Sequence, residues 1–504
     1  ASVHRYYALY VQILMMLDRR HPHFGFAEKA FDAAEKSKVR SLLDLLTTAA
    51  HDAPCDELLQ EQLKVETAAQ AAPDAKLIAT DLTRADGNLS GMSSPAGSLA
   101  LKEIQAQIAG GDTLLLEYAL GDEKSYLWVI DEDHISAHEL PTSHEIKKLV
   151  EKFRRTLAPP QWKEEETAVE YQARARKLDD NFQSYSRQLS RLLLGAVTLA
   201  RTKRLLIVPD GSLQYIPFAA LPLPGPTTSN RPLVRSQEIV ILPSASVLTS
   251  LRKAAAKRTP PTATAAIFGD PVFEADDPRV STFRVKRKSS MQERPLALTR
   301  AIRDIGASPY IVRLPASRNE ANAIATILRS RNPQGVHIGL DFDASREYVV
   351  KQGLTRFRLV HFATHGVIDT HHPEMSGLIL SLVDRRGRKG DGYLRLGDIY
   401  KLRLSADLVV LSSCNSALGK DLDSEGIIGL PRGFLYAGAK SVIASLWKVD
   451  DEASAKLMAS LYERIRRGER PSSALRGAQL EMLQHEEWSK PYYWAGFALQ
   501  GDYR

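Results

Sequence analysis

Two residues carry most of the chemical interest in this 504-residue chain. The run R-F-R-L-V-H-F-A-T-H-G (356 to 366) ends at His365, and A-D-L-V-V-L-S-S-C-N-S (406 to 416) passes through Cys414. Each is an apolar stretch of strand length that stops on a reactive side chain. A thiolate is a nucleophile, and an imidazole within hydrogen-bond reach supplies its base and later its acid. Gly366 directly follows His365, where a missing side chain lets backbone approach a substrate. Its N–H, with that of Cys414, is placed to stabilise an oxyanion. In parallel sheets ligands bind at the carboxyl ends of strands, where both residues fall. A small buried cysteine and a core histidine fit the same pattern when taken singly.

Two other constellations compete. His361 and His365 have the i, i+4 spacing of helical zinc ligands, with His371 and His372 nearby. The segment is a strand pattern, however, in which residues four apart lie about 13 Å from each other. His361 is therefore expected inside the strand, and no metal or cofactor is expected. The run V-H-I-G-L-D-F-D (336 to 343) ends in Asp341-x-Asp343, as in haloacid-dehalogenase-type phosphatases. The residues after it, Ala344-Ser345, depart from that motif.

The elements that must position His365 and Cys414 are read from periodicity. Residues 1–86 are helical in pattern. Tyr7, Tyr10, Leu14 and Leu17 form one apolar stripe, broken by H-P-H-F-G, and Ala27, Ala30, Phe31, Ala34 and Val39 form a second. A helical pair with Ala27-x3-Phe31 resembles a tetratricopeptide repeat, which cannot bury its face alone, so further repeats are expected upstream. A plain helical hairpin fits as well. A further helix is read at 56 to 84. Residues 87–109 read as a linker (GNLSGMSSPAGS) and lead-in helix. From there apolar runs of strand length recur at 113 to 120, 125 to 130, 204 to 211, 265 to 270, 336 to 340, 358 to 363, 408 to 413 and 441 to 447, with helical patterns at 143 to 157 and 165 to 200. This predicts an α/β protein with mostly parallel sheets covered by helices. So many strands are divided into tandem units, 110–250 and 251–504, joined by an exposed connector near 245 to 264.

Composition narrows the classes. Hydrophobic residues make up 44% and charged residues 25%, ordinary for a globular protein. No run approaches the roughly 18 apolar residues of a membrane span. With only Cys55 and Cys414 there is no disulfide framework, and a reducing cytoplasm fits. The net charge of +7 does not call for nucleic acid. The start, ASVHRYYALY, has neither an initiator Met nor a signal pattern and reads as a cut from a longer chain.

The order of His365 and Cys414, 49 residues apart, is similar to that of caspases, where the His lies about 50 residues before the Cys. The surrounding text resembles the CHAT domain, a caspase-like and separase-like module often attached to tetratricopeptide repeats. The resemblance rests on L-V-H-F-A-T-H-G (359 to 366), S-G-L-I-L-S (376 to 381), L-R-L-G-D-I (394 to 399), A-D-L-V-V-L-S-S-C (406 to 414), E-G-I-I-G-L (425 to 430), F-L-Y-A-G-A-K-S-V-I-A-S-L-W-K-V-D-D (434 to 451) and P-Y-Y-W-A-G-F-A-L-Q-G (491 to 501). It implies tandem caspase-like units, the first catalytically empty and the second active. The activity implied is that of a cysteine endopeptidase with Cys414 as nucleophile and His365 as acid, acting on a protein substrate, with a catalytically inert interaction module as the alternative. The residues around the Cys, Ser413 and Asn415-Ser416-Ala417, depart from the family's usual Ala and Glu-Thr-Gly, so specificity does not transfer. The separase resemblance implies a pocket for a basic residue formed by Asp450, Asp451 and Trp447, bordered by Asn415. Those acids also suit the start of the next helix. Control by a protein partner on the N-terminal helices, in bacterial defence or stress signalling, is the setting implied. The basic stretch 283 to 295 is a solvated loop or a self-cleavage connector.

Overall fold

The computed structural model describes residues 2–22, 24–50, 99–225, 230–281, 298, 311–351, 353–368, 375–412, 426–447 and 450–504. The segments read as a helix at 56 to 84, as a linker at 87 to 98 and as a basic loop at 283 to 295 lie outside the described residues, as do His371, His372, Cys414 and Asn415.

Five strands come from the first half: β1 (Thr113–Ala119), β2 (Ser125–Ile130), β3 (Ile135–Leu140), β4 (Arg204–Val208) and β5 (Glu238–Ile241). The second half supplies β6 (Ala263–Pro271), β7 (Val336–Asp341), β8 (Phe357–Ala363), β9 (Gly366–Val367), β10 (Gly377–Ile379), β11 (Tyr393–Arg395), β12 (Leu408–Leu411), β13 (Ser441–Ser445) and β14 (Phe497–Gly501). Eleven of them form one sheet in the order β3-β2-β1-β4-β5-β14-β13-β12-β8-β6-β7, and β11-β10-β9 form a small second sheet. The eight strand-length runs read from the sequence are all strands, and Gly121 to Lys124 close the antiparallel β1–β2 hairpin.

The two tandem units share this sheet instead of each closing its own. The reason is β14, which runs antiparallel to β13 and parallel to β5. It therefore reverses direction at the seam. The carboxyl ends of β1, β4 and β5 face one edge of the sheet, and those of β6, β7, β8, β12 and β13 face the other. The connector at 245 to 264 is not a bare link, since it carries the helix Ala245–Ala256, capped by Ser244.

Central strands such as β4, β12 and β13 are buried on both faces, which is why their sequences are continuous apolar runs. One face packs under Leu359, Val410, Ile443 and the helices Pro315–Arg329 and Asp451–Arg466. The other packs Val360, Phe362, Val409 and Leu411 under the helix Gly426–Tyr436.

The N-terminal helices Ser2–Arg20 and Phe26–Ala50 pack onto the first half of the sheet. Phe31 sits edge-on to Trp128, whose indole N–H donates to the Ala27 carbonyl at 3.1 Å. Lys38 Nζ donates to Glu117 Oε1 and to the Tyr118 carbonyl, both at 2.8 Å. Glu35 accepts from the backbone N–H groups of Ala245 and Ser246, at 2.9 and 2.8 Å, and so caps the connector helix. The apolar stripes read from the sequence close a surface of this chain itself.

Candidate active site

β8 and β12 lie side by side and parallel, Leu408 paired with Leu359 and Leu411 with Phe362. That register is an offset of 49 residues, and 49 residues separate His365 from Cys414. The pairing continues past the end of β12, where Ser412 N–H donates to the Phe362 carbonyl at 3.0 Å. Neighbouring strands are about 4.8 Å apart, so Ser412, two residues before Cys414 in sequence, lies beside the strand that leads to His365. Cys414 itself, like Asn415, lies outside the described residues.

His365 follows β8 by two residues and is half-buried, its ring 5.5 Å from that of Phe273. Its Nε2 lies 2.7 Å from the backbone carbonyl of Val312. A carbonyl only accepts, so Nε2 carries the proton and Nδ1 is the basic nitrogen of the neutral ring. The His365 carbonyl accepts from Ile379 N–H at 2.9 Å, which makes that pair a hydrogen-bonded one. Gly366, opposite Leu378, is then in a non-hydrogen-bonded position, and its N–H points away from β10.

The Val312 carbonyl is held in turn by its neighbour. Arg313 grips Asp270 with two hydrogen bonds, 2.8 and 2.7 Å, and Arg318 Nε adds a third at 2.8 Å. Arg279 Nη1 lies 3.1 Å from the same carboxylate and 2.7 Å from Asp341 Oδ1. Arg318 also pairs with Asp341. Asp270, the last residue but one of β6, and Asp341, the last of β7, have positive φ, 44° and 55°, a strained conformation for residues with a side chain. Burial raises the Asp341 carboxyl, but the hydrogen bonds from Arg318 and Arg279 outweigh it and hold the group below its ordinary range. Asp341 is thus one member of an ion-pair network, which is a different environment from that of a phosphatase nucleophile.

His361 is fully buried in β8, as its strand position requires. Its Nδ1 lies 3.1 Å from the Tyr462 hydroxyl. Its Nε2 lies 3.0 Å from Glu320 Oε1, close but poorly aligned for a hydrogen bond. Burial, and then the Glu320 charge, push the Tyr462 hydroxyl well above its ordinary range.

β13 lies parallel beside β12, linked by the crossover helix Gly426–Tyr436, so the acids after β13 emerge on the edge where β8 ends. Asp450 is committed to the next helix, accepting from the N–H groups of Glu452 and Ala453 at 3.0 Å each. Asp451 and Glu452 are exposed in that helix's first turn. Trp447 is buried, its indole N–H donated to the Tyr492 carbonyl at 3.1 Å. No sequence signal marks the role of Val312, because a backbone carbonyl is common to every residue.

The class defined by this sheet is an α/β fold built on a large, mostly parallel sheet covered by helices. The chain matches the CHAT domain over residues 183–502, and it belongs to that family. Tetratricopeptide repeat protein 28 of Mus musculus is 26% identical over 337 residues, covering 60% of this chain and 12% of that protein. The Homo sapiens protein of the same name is 27% identical over 339 residues, with the same coverage. The chain thus spans about an eighth of these curated relatives. The Saccharomyces cerevisiae separase–securin complex at 3.0 Å gives a TM-score of 0.53 at 12% identity, covering 95% of this chain and 34% of that one. The fold is similar to that of separase.

Proposed function

We propose that the chain is a cysteine endopeptidase working through His365 and Cys414. The observation that carries this reading is the parallel pairing of β8 with β12 at an offset equal to the His–Cys spacing. In the reaction, Nδ1 of His365 takes the Cys414 proton and Sγ attacks the scissile carbonyl carbon. The N–H groups of Gly366 and Cys414 receive the oxyanion. The imidazolium then returns its proton to the departing amine, leaving an acyl-enzyme that water hydrolyses with His365 again as base. The Val312 carbonyl fixes the tautomer throughout. Backbone orients this histidine where other enzymes use a carboxylate.

Asp451 is the proposed contact for a basic residue before the cut, with Trp447 behind it and Asn415 at the border. Asp450 serves as the cap. The proposed regulation is a protein partner acting through the N-terminal helices. Support comes from their docking on β1, β2 and the connector helix, so that strain on them reaches the sheet. The separase structure holds a bound protein, securin. A defence or stress role in the cytoplasm rests on the family resemblance.

The competing reading is an inert CHAT scaffold, favoured by the sheet-sharing first half, which has no His–Cys pair at the ends of its strands. A fluorogenic peptide library incubated with wild type and with Cys414→Ala separates the two. Cleavage that disappears in Cys414→Ala supports the protease, and cleavage of nothing by wild type with partner-free and partner-loaded protein supports the scaffold.

A further inference from the structure

The seam between the two halves of the sheet contains a cavity that the reaction above does not use. One wall is Phe218 from the first half, the floor includes Ile241 and Ala498 of β5 and β14, and Leu446 closes the catalytic side. Arg432, from the middle of the crossover helix Gly426–Tyr436, lines it as well.

That arginine is only 7% exposed, and its Nε is buried without a partner. Among the described residues it makes no hydrogen bond or ion pair, and no acidic residue lines the cavity. Burying the Nε–H of a guanidinium with neither an acceptor nor a counter-ion among the described residues is costly. Arg204, the other arginine among the described residues that is as deeply buried, lies 2.9 Å from Glu238.

We propose that this cavity binds a carboxylate carried on a short apolar stem, with Arg432 as its charged partner. The planar fork of a guanidinium matches a carboxylate, and Phe218, Ile241 and Leu446 suit an apolar stem. A single cation balances one negative charge, so a phosphate dianion would remain overcharged. The space, about 20 Å³ for the centres of water-sized atoms, accommodates the two oxygens of one carboxylate. The ligand is either a free small acid or the acidic side chain of a bound peptide, and only the second source rests on the protease reading. Either one touches both halves of the sheet and the helix that joins β12 to β13.

The test uses the full chain with Cys414→Ala, so that binding is read without cleavage. Calorimetric titration compares butyrate with butyramide in one arm, and two peptides differing only as Glu or Gln in the other. The acid is expected to bind at least about tenfold more tightly than its amide in one arm or both, the size of one charge-assisted hydrogen bond. The arm that responds identifies the source. Adding Arg432→Met is expected to erase the preference, and Arg432→Lys to weaken it. Equal binding of acid and amide, no binding of either, or a preference that survives Arg432→Met would overturn the site. Where Arg432→Met does not fold by circular dichroism, Arg432→Lys decides, and an unchanged preference there overturns it.

Discussion

Replacing Asp270 by Asn tests how the histidine is held. The carboxylate is fully buried and shared by Arg313, Arg318 and Arg279, whose side chains are 37%, 31% and 15% exposed. Removing one partner of a buried charge network costs 3–5 kcal/mol as a rule. Arg313 and Arg318 are partly solvated, and Asp277 and Asp341 remain for Arg279, so the expected loss is about 3 kcal/mol, at the low end. The functional effect is separate. Freed of Asp270, Arg313 no longer fixes Val312, and His365 Nε2 loses its acceptor. A displacement of about 1 Å at such a group costs on the order of a hundredfold in rate. The assay is the rate at which a thiol-reactive peptide modifies Cys414, followed across pH, beside urea denaturation of the same protein. Asp270→Asn should be labelled about tenfold to a hundredfold more slowly, with an altered pH profile as both tautomers become populated. Labelling at the wild-type rate with a wild-type profile, in a protein that is destabilised as expected, would refute the link from Asp270 through Val312 to the imidazole.

Other substitutions address the remaining elements. Asp450→Ala should lower stability by about 1 kcal/mol through the lost helix cap and leave peptide preference unchanged. Asp451→Ala should reduce preference for a basic residue before the cut, and an unchanged fluorogenic panel would place that pocket elsewhere. Burial first, and then the Glu35 charge, push the Glu117 carboxyl well above its ordinary range, with Lys38 only partly opposing. A raised folded pKa stabilises below the unfolded value and loses that stabilisation as pH rises through the folded one. Melts of Glu117→Gln beside wild type should therefore show the variant gaining on wild type as pH climbs above about 4.5, the model-peptide value, and parallel curves would contradict the assignment. Asp341 and Asp277 have depressed values in the fold, so their network should stabilise at neutral pH and weaken as pH falls below about 4. Intact masses of wild type and Cys414→Ala after long incubation test self-cleavage within 283 to 295, and identical masses would end that idea.

The interior strands were legible because burial on both faces writes them as unbroken apolar runs, as in L-V-V-L and S-V-I-A-S. The strands missed were β3, β5, β14 and the two- or three-residue strands β9, β10 and β11 of the small sheet. β3 is half-exposed and charged, while β5 and β14 are short and mixed. Missing β14 hid the seam, and with it the reversal that joins two expected sheets into one. The position of His365 just past a strand end was legible. The groups that orient it were not, since Val312 acts through its backbone and Asp270 gathers arginines from positions 279, 313 and 318. The N-terminal stripes were visible, but nothing in their spacing distinguishes a surface that meets another repeat from one that meets β1 and β2.

The most direct test of the Cys–His site is intact-mass analysis of the chain after exposure to an electrophilic peptide, in wild type, Cys414→Ala and His365→Ala. The dyad predicts a single adduct on Cys414 in wild type and none in Cys414→Ala. It also predicts that labelling in His365→Ala slows by on the order of a hundredfold, the lower range for loss of a general base. Adducts that form equally on Cys55, or labelling of Cys414 that is indifferent to His365→Ala, would contradict it.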